Sequence, residues 1–170
     1  IEWAEYTTTT FQKLENEVTL NYSSEIGVFK YGAFGPVSKG VLSERLQLSL
    51  GARMDANNFN AHMANPLNQF SPRLSASYSL SQKMAINFNT GIYYQLPPYT
   101  TLGYRNTAGE LVNKDVKYIQ SKHVVLGIEY NTSKNARITV EGFYKHYSNY
   151  PMDLLDSISL ANKGSDFGVI

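Results

Sequence analysis

Few side chains in this sequence have the types and spacing that catalysis requires. The three histidines, His62, His123 and His146, lie far apart and lack the short spacing of metal ligands. The chain has no cysteine, which excludes disulfide frameworks and thiolate metal sites. It also has no Gly-x-Ser-x-Gly turn and no phosphate-binding loop. We therefore predict a protein that is not an enzyme and that needs no cofactor or metal.

The residues that favour ligand binding are aromatic, amide and guanidinium side chains close to two long polar segments. Aromatic rings and amides can stack on a ligand and hydrogen-bond to it, and a guanidinium can hold an anion. A structural role is the alternative: Tyr93 can pack against a neighbouring side chain, and the arginines can pair with Asp55 or another carboxylate. We favour this structural role for Tyr93 and both arginines. The ligand-binding candidates are Tyr93, Gln95, Tyr99 and Tyr104, with Arg53 and Arg73.

The stretch that must position these residues is Ser71–Gln95, which has the pattern of two strands joined by a tight turn at residues 81–83. Successive side chains of a strand point to opposite faces, so strict alternation of apolar and polar residues indicates one apolar wall and one polar wall. The apolar wall takes Leu74, Ala76, Tyr78 and Leu80 from the first strand, and Met84, Ile86, Phe88, Ile92 and Tyr94 from the second.

The same alternation recurs in three further segments, Leu46–Asp55, His123–Tyr130 and Ala136–Tyr147. With the last segment counted as far as Tyr144, every position on the apolar wall of these five strands apart from Thr90 and Gly142 is apolar, and none is charged. Each run is about ten residues, which suits a tilted strand that crosses a bilayer. Weaker strand candidates are Ile1–Thr10, Phe11–Tyr22 and Ile26–Val37, the last with Pro36 at a strand end or a bulge.

The connections between these strands alternate between short and long. An up-and-down transmembrane barrel has short turns at one rim and long loops at the other, whereas a Greek-key sandwich has no such asymmetry. We therefore predict an all-β fold, an antiparallel up-and-down meander forming an arc of a large transmembrane β-barrel. Its apolar wall, with Leu48, Ile86, Phe88, Leu126 and Val140, should face lipid. The short turns are residues 42–45, 81–83 and 131–135, and the long connections are residues 56–70, 96–118 and the tail after Ser148.

Composition agrees with a membrane protein that does not bind nucleic acid. The formal net charge is +1, so no general basic field attracts a polyanion. The 13 tyrosines suit a boundary that is apolar on one side and wet on the other, such as a membrane interface. Tyrosine is also common in ordinary sheets and binding surfaces, which is the alternative explanation. No apolar run is long enough for a transmembrane helix.

Three phrases of the sequence resemble TonB-dependent outer-membrane receptors, and the likeness covers roughly residues 31–170. The likeness is specific in the order of its strand and turn motifs, with Leu-Gly-Ala-Arg-Met-Asp at a strand end and Ser-Pro-Arg at a strand start. The phrases are LSERLQLSLGARMD, FSPRLSASYSLSQKMAINFNTGIYYQLPPY and ARITVEGFYKHYSNYP.

The resemblance implies active uptake of a scarce nutrient across the outer membrane of a Gram-negative bacterium. In this family an inner-membrane complex, the TonB energy-coupling complex, acts through a plug domain inside the barrel. The expected partners are outer-membrane lipid, that complex and a small nutrient ligand of the siderophore, vitamin or glycan class. We expect residues 1–170 to be part of such a barrel, because seven or eight strands cannot enclose a plug.

Two other functions fit an all-β chain of this kind. One is a soluble all-β binding or adhesion module, which would dissolve without detergent, whereas a bare apolar wall aggregates in water. The other is an outer-membrane barrel hydrolase, which would react with a serine-directed probe.

Overall fold

The computed structural model describes residues 1–13, 19–106, 108–133, 136–153 and 157–163. Within them, seven strands form one antiparallel sheet in the order of the sequence, curled into a half-barrel. Four short helical turns lie between or after the strands: α1 (Ala61–Ala64), a 3-10 turn (Pro66–Gln69), α2 (Tyr99–Leu102) and α3 (Leu160–Lys163). The strands are β1 (Glu2–Lys13), β2 (Thr19–Val41), β3 (Leu46–Asn57), β4 (Ser71–Ser79), β5 (Met84–Gln95), β6 (Ile119–Ser133) and β7 (Ala136–Ser148).

The strand register confirms the predicted meander and its two walls. Leu48 pairs with Ala76, Ala76 with Phe88, and Phe88 with Leu126, so the apolar positions form continuous rows across the sheet. Polar positions form the intervening rows, as where Ser77 pairs with Asn87 and their side chains share a 2.7 Å hydrogen bond. The short connections after β2, β4 and β6 therefore lie at one rim of the sheet, and the long connections after β3 and β5 lie at the other, where the β1–β2 hairpin also ends.

The short-turn rim differs from the prediction at one hairpin. The connection at residues 42–45 is a tight turn in which Leu42, Ser43 and Glu44 all have left-handed backbone angles, with φ of 54°, 53° and 66°. The last short connection was predicted at residues 131–135, but β6 continues through Ser133 and β7 begins at Ala136. Residues 134–135 lie outside the described part of the chain.

The long strand β2 is the largest departure from the sequence prediction. Residues 19–30 of β2 pair with β1, and residues 30–41 pair with β3. The first half of β2, residues 19–30, therefore projects together with β1 beyond the ends of the other strands at the long-loop rim. The predicted strand Phe11–Tyr22 is wrong, because β1 ends at Lys13 and β2 begins at Thr19. The expectation that Pro36 lies at a strand end or a bulge is also wrong, since Pro36 pairs with Gly51 inside β2 in an unbroken register.

A small buried cluster, here called the rim core, lies where the projecting hairpin meets the two long connections. It consists of Ile26, Met63, Leu102 and Tyr118. Asn60 ties the two connections together, because its side-chain oxygen accepts from the Met63 amide at 2.8 Å and its nitrogen donates to the carbonyls of Lys114 and Val116, both at 2.9 Å. The long connections predicted as loops are therefore ordered segments with a core of their own.

No helix among the described residues has the length and apolar character needed to cross a membrane.

Candidate functional site

The candidate site is a cleft of about 370 Å³ at the long-loop rim, here called the rim cleft. The start of β1, the middle of β2, the end of β3 and the segment before β6 all contribute to it. Charged and aromatic side chains lie side by side in its lining. The residues used below are Glu2, Lys30, Phe34, Arg53, Asp55 and Tyr118.

Each cation of the rim cleft is paired with a carboxylate. Lys30 Nζ lies 3.0 Å from Glu2 Oε1, since the two residues are opposite each other in the β1–β2 register. Arg53 donates to both oxygens of Asp55, from Nε at 2.6 Å and from Nη2 at 2.8 Å. These pairs confirm the predicted pairing of Arg53 with Asp55. They also leave the charged lining of the cleft close to neutral.

Gly32 makes room for the Arg53–Asp55 pair. It lies opposite Asp55 in the β2–β3 register. A β-carbon at this position would be 2.7 Å from Asp55 Oδ1 and 2.6 Å from the Met54 carbonyl oxygen. A side chain larger than hydrogen would therefore push the carboxylate away from Arg53.

Tyr118 brings the second long connection to the cleft. Asn57, which is fully buried, donates from Nδ2 to Tyr118 Oη at 2.8 Å. Burial raises the pKa of the Tyr118 phenol above its ordinary value of 10.0. The phenol therefore stays neutral at physiological pH and keeps its own proton for donation to a second partner.

Tyr99, a predicted binding residue, borders the cleft from the helix α2. Its ring stacks on Tyr6 with a centroid distance of 5.6 Å and an interplanar angle of 21°. The Lys30 ammonium lies 5.8 Å from the Tyr99 ring centroid, within range for electrostatic attraction. The Tyr99 hydroxyl is buried, and no described side chain reaches it with hydrogen-bond geometry.

A second group, here called the wall stack, lies lower on the polar wall. Arg73 Cζ is 4.6 Å from the centroid of the Tyr93 ring, and the centroid of that ring is 4.6 Å from the centroid of the His123 ring. Ser121 Oγ is 2.6 Å from His123 Nε2. Gly91 permits this stack, because a β-carbon there would be 3.1 Å from Tyr93 Cε2 and 3.2 Å from Arg73 Cγ. Tyr93 thus has the packing role that the sequence favoured.

The six predicted binding residues do not form one site. Arg53 lines the rim cleft and Tyr99 borders it, whereas Arg73 and Tyr93 belong to the wall stack. Tyr104 is buried within the second long connection, and Gln95 is exposed at the end of β5.

Reasoning from the sequence missed several residues of the rim cleft, among them Glu2, Lys30, Phe34 and Tyr118. Lys30 and Glu2 are brought together by a hairpin that the sequence pattern did not predict. Tyr118 and its partner Asn57 are 61 residues apart. No local spacing signals a contact of that range.

Comparison with known proteins identifies the family. A family model described as TonB dependent receptor-like, beta-barrel matches residues 1–165. The chain therefore belongs to the TonB-dependent receptor β-barrel family, which is a family of outer-membrane receptors and transporters. No curated protein matches the chain. No solved structure matches it either.

Proposed function

We propose that this chain is a section of the barrel wall of an active nutrient transporter, and that the rim cleft is part of the entrance where the nutrient binds. The observation that supports this best is the convergence of Lys30, Arg53 and Tyr118 from separate parts of the chain on one cleft at the long-loop rim. The cleft lies beside the rim core, so its lining is held by a packed scaffold rather than by free loops. Energy for release would come from the TonB complex through a plug inside the complete barrel.

The proposal includes a direction across the membrane. The long-loop rim faces the outside of the cell, and the short-turn rim faces the periplasm, as in barrels with short periplasmic turns. Labelling of single-cysteine variants on intact cells tests this, with Asn106→Cys expected to react and Gln82→Cys expected to stay protected. Labelling only at Gln82→Cys would reverse the direction.

We further propose that the ligand is polar but carries no net charge, as a glycan does. Both cations of the cleft are already paired, so an anionic ligand would have to displace Glu2 or Asp55. Paired charges and the neutral Tyr118 phenol can still exchange hydrogen bonds with hydroxyl groups. The rings of Phe34 and Tyr118 add apolar surface for the faces of such a ligand.

Calorimetric titration of the full-length receptor tests this function. The probes are a neutral oligosaccharide mixture, cobalamin, a ferric hydroxamate and an anionic ferric catecholate. We expect binding by a neutral probe, weakened about tenfold or more by Arg53→Gln, because one charged hydrogen-bonding partner is lost. Gln82→Ala at the opposite rim is the matched control and should bind normally. Binding by the ferric catecholate alone would overturn the ligand class, and unchanged binding by Arg53→Gln would overturn the site.

A further inference from the structure

A large concavity of the described chain lies on the apolar wall rather than on the polar one. It is a groove of about 990 Å³, here called the outer groove, that crosses from β2 to β7. Apolar side chains from successive strands line its floor. Those used below are Val37, Leu50, Leu74, Ile92, Val124 and Tyr144.

The floor of the outer groove is substantially exposed. Leu50 is 62% exposed, Val124 44% and Tyr144 66%. Exposed apolar surface of this extent requires a cover in water, and on a transmembrane barrel the hydrocarbon of the bilayer supplies it. The expected occupant is therefore hydrocarbon.

Two basic side chains mark one end of the outer groove. Lys122 and His146 both line it from the apolar wall, and they are direct partners in the β6–β7 register; Arg73 and His123 also border the groove, but their side chains contact Tyr93 in the wall stack. They lie one step, about 7 Å, nearer the long-loop rim than Val124 and Tyr144, which are also partners. The groove is thus apolar along its length and basic at its outer end.

Lys122 forms no ion pair with any residue in the described part of the chain. The ion pairs within the described residues involve Lys30, Arg53 and Arg137, and Lys122 takes part in none of them. A cation on the lipid face of a barrel is costly at the membrane midplane and nearly free of cost close to the interface. The position of Lys122 near the loop-side end of β6 therefore places its ammonium at headgroup level.

We propose that the outer groove is a binding site for a membrane lipid with a phosphate-bearing headgroup. The acyl chains lie along Leu50, Leu74 and Val124, and the phosphate sits between Lys122 Nζ and the His146 imidazole. An ammonium and an imidazole both donate to phosphate oxygens, and the charge on Lys122 makes that contact stronger than a neutral one. A zwitterionic headgroup offers the same phosphate with its own cation attached, so it should bind more weakly.

This occupant fits the groove better than a second protein chain or free phosphate does. A protein partner would need to cover the polar outer end with matching carboxylates, whereas a lipid places its charge and its hydrocarbon in the order that the groove requires. Free phosphate would use Lys122 and His146 but would leave the apolar floor uncovered. The site is separate from the rim cleft, so its test does not depend on the transported nutrient.

The test is lipid retention by the purified full-length receptor, measured by native mass spectrometry after release from detergent. The probes are phosphatidylglycerol and phosphatidylcholine with identical acyl chains, and inorganic phosphate as a competitor. We expect preferential retention of phosphatidylglycerol by the wild type, and about tenfold weaker retention by Lys122→Gln combined with His146→Gln. Inorganic phosphate should compete only weakly, since it lacks the acyl chains.

Two variants keep the test decisive. Lys122→Arg preserves the charge and should retain the lipid, which separates loss of charge from a folding defect. Lys83→Gln removes a cation at the short-turn rim and should leave retention unchanged. Equal retention of the two phospholipids, or equal loss in Lys83→Gln and the double variant, would overturn the proposal. Complete displacement by inorganic phosphate would show headgroup binding without the groove and would overturn it as well.

Discussion

The rim core and the barrel wall, meaning strands β3 to β7, differ in how exposed their apolar side chains are. In the rim core, Met63 and Leu102 are completely buried and pack as residues do inside a soluble domain. On the barrel wall, Val140 is 70% exposed and Leu126 is 56% exposed, although both are apolar. The rim core buries its apolar surface against the protein, whereas the wall leaves its apolar surface for lipid. One chain therefore contains a region packed as in a water-soluble protein and a region suited to the bilayer.

The largest effect should come from removing a buried side chain of the rim core. Leu102→Ala should destabilise the packed connections by about 2–5 kcal/mol, because it removes buried methyl groups and leaves a cavity. Hydrogen exchange in residues 96–118 of the full-length receptor should accelerate while exchange in β5 and β6 stays slow. Leu67→Ala is the matched control, since Leu67 is 70% exposed in the neighbouring connection. Equal acceleration throughout the strands would show that the two regions do not unfold separately.

The next effect tests the barrel wall itself. Val140→Arg places a charge on the apolar wall and should cost about 2–4 kcal/mol if the site lies near mid-membrane. Thr139→Arg, one residue away on the polar wall, should cost much less. Folding of the receptor into lipid vesicles, followed by denaturant titration, measures both. Equal costs at the two positions would contradict the assignment of the walls.

A smaller effect is expected where the long connections meet the polar wall. Asn57→Ala removes the donor that satisfies the buried Tyr118 hydroxyl and should destabilise this contact by about 1–3 kcal/mol. Asn58→Ala, at the neighbouring position near the surface, provides the comparison. Protease cleavage within residues 96–118 should become faster in the first variant and change less in the second. The same cleavage rate in both would exclude a stabilising role for the buried bond.

The smallest effect should be a dependence on alkaline pH. Because burial raises the pKa of Tyr118 above 10.0, the folded connection favours the neutral phenol and the open one ionises more readily. The stabilisation is thus complete below pH 10 and is lost as the pH rises through the folded-state pKa. A fluorophore on Lys114→Cys should report opening of the connection over that range. Tyr118→Phe should abolish this part of the pH dependence, and an unchanged profile would refute the assignment.

Strand alternation determined the walls correctly because a side chain's direction in a strand depends only on its own backbone. The meander followed for a similar reason, since a short turn such as residues 80–83 can only join neighbouring strands. The same reasoning failed in the first hairpin. Leu14 and Val18 continue an alternating pattern, with no glycine or proline between them to indicate a turn.

The prediction for Pro36 was wrong because the free-energy cost of a proline in a strand depends on whether that strand is paired on one side or on both. A proline cannot donate a backbone hydrogen bond, so it is excluded from a strand that is paired on both sides. In the described chain, residues 31–41 of β2 pair with β3 alone, which makes Pro36 an edge position. Sequence alone does not show which segments lack a second partner.

By itself, the sequence determined the strand type, the two walls, the alternation of short and long connections and the resemblance to the receptor family. These depend on local periodicity and on the lengths of connections. Only the tertiary structure decided that β2 extends beyond the sheet and that Lys30, Arg53 and Tyr118 share one cleft. Those arrangements depend on contacts such as Asn57 with Tyr118, 61 residues apart. Contacts of that range form because the complete set of packed segments has the lowest free energy. The local periodicity of the sequence does not indicate them.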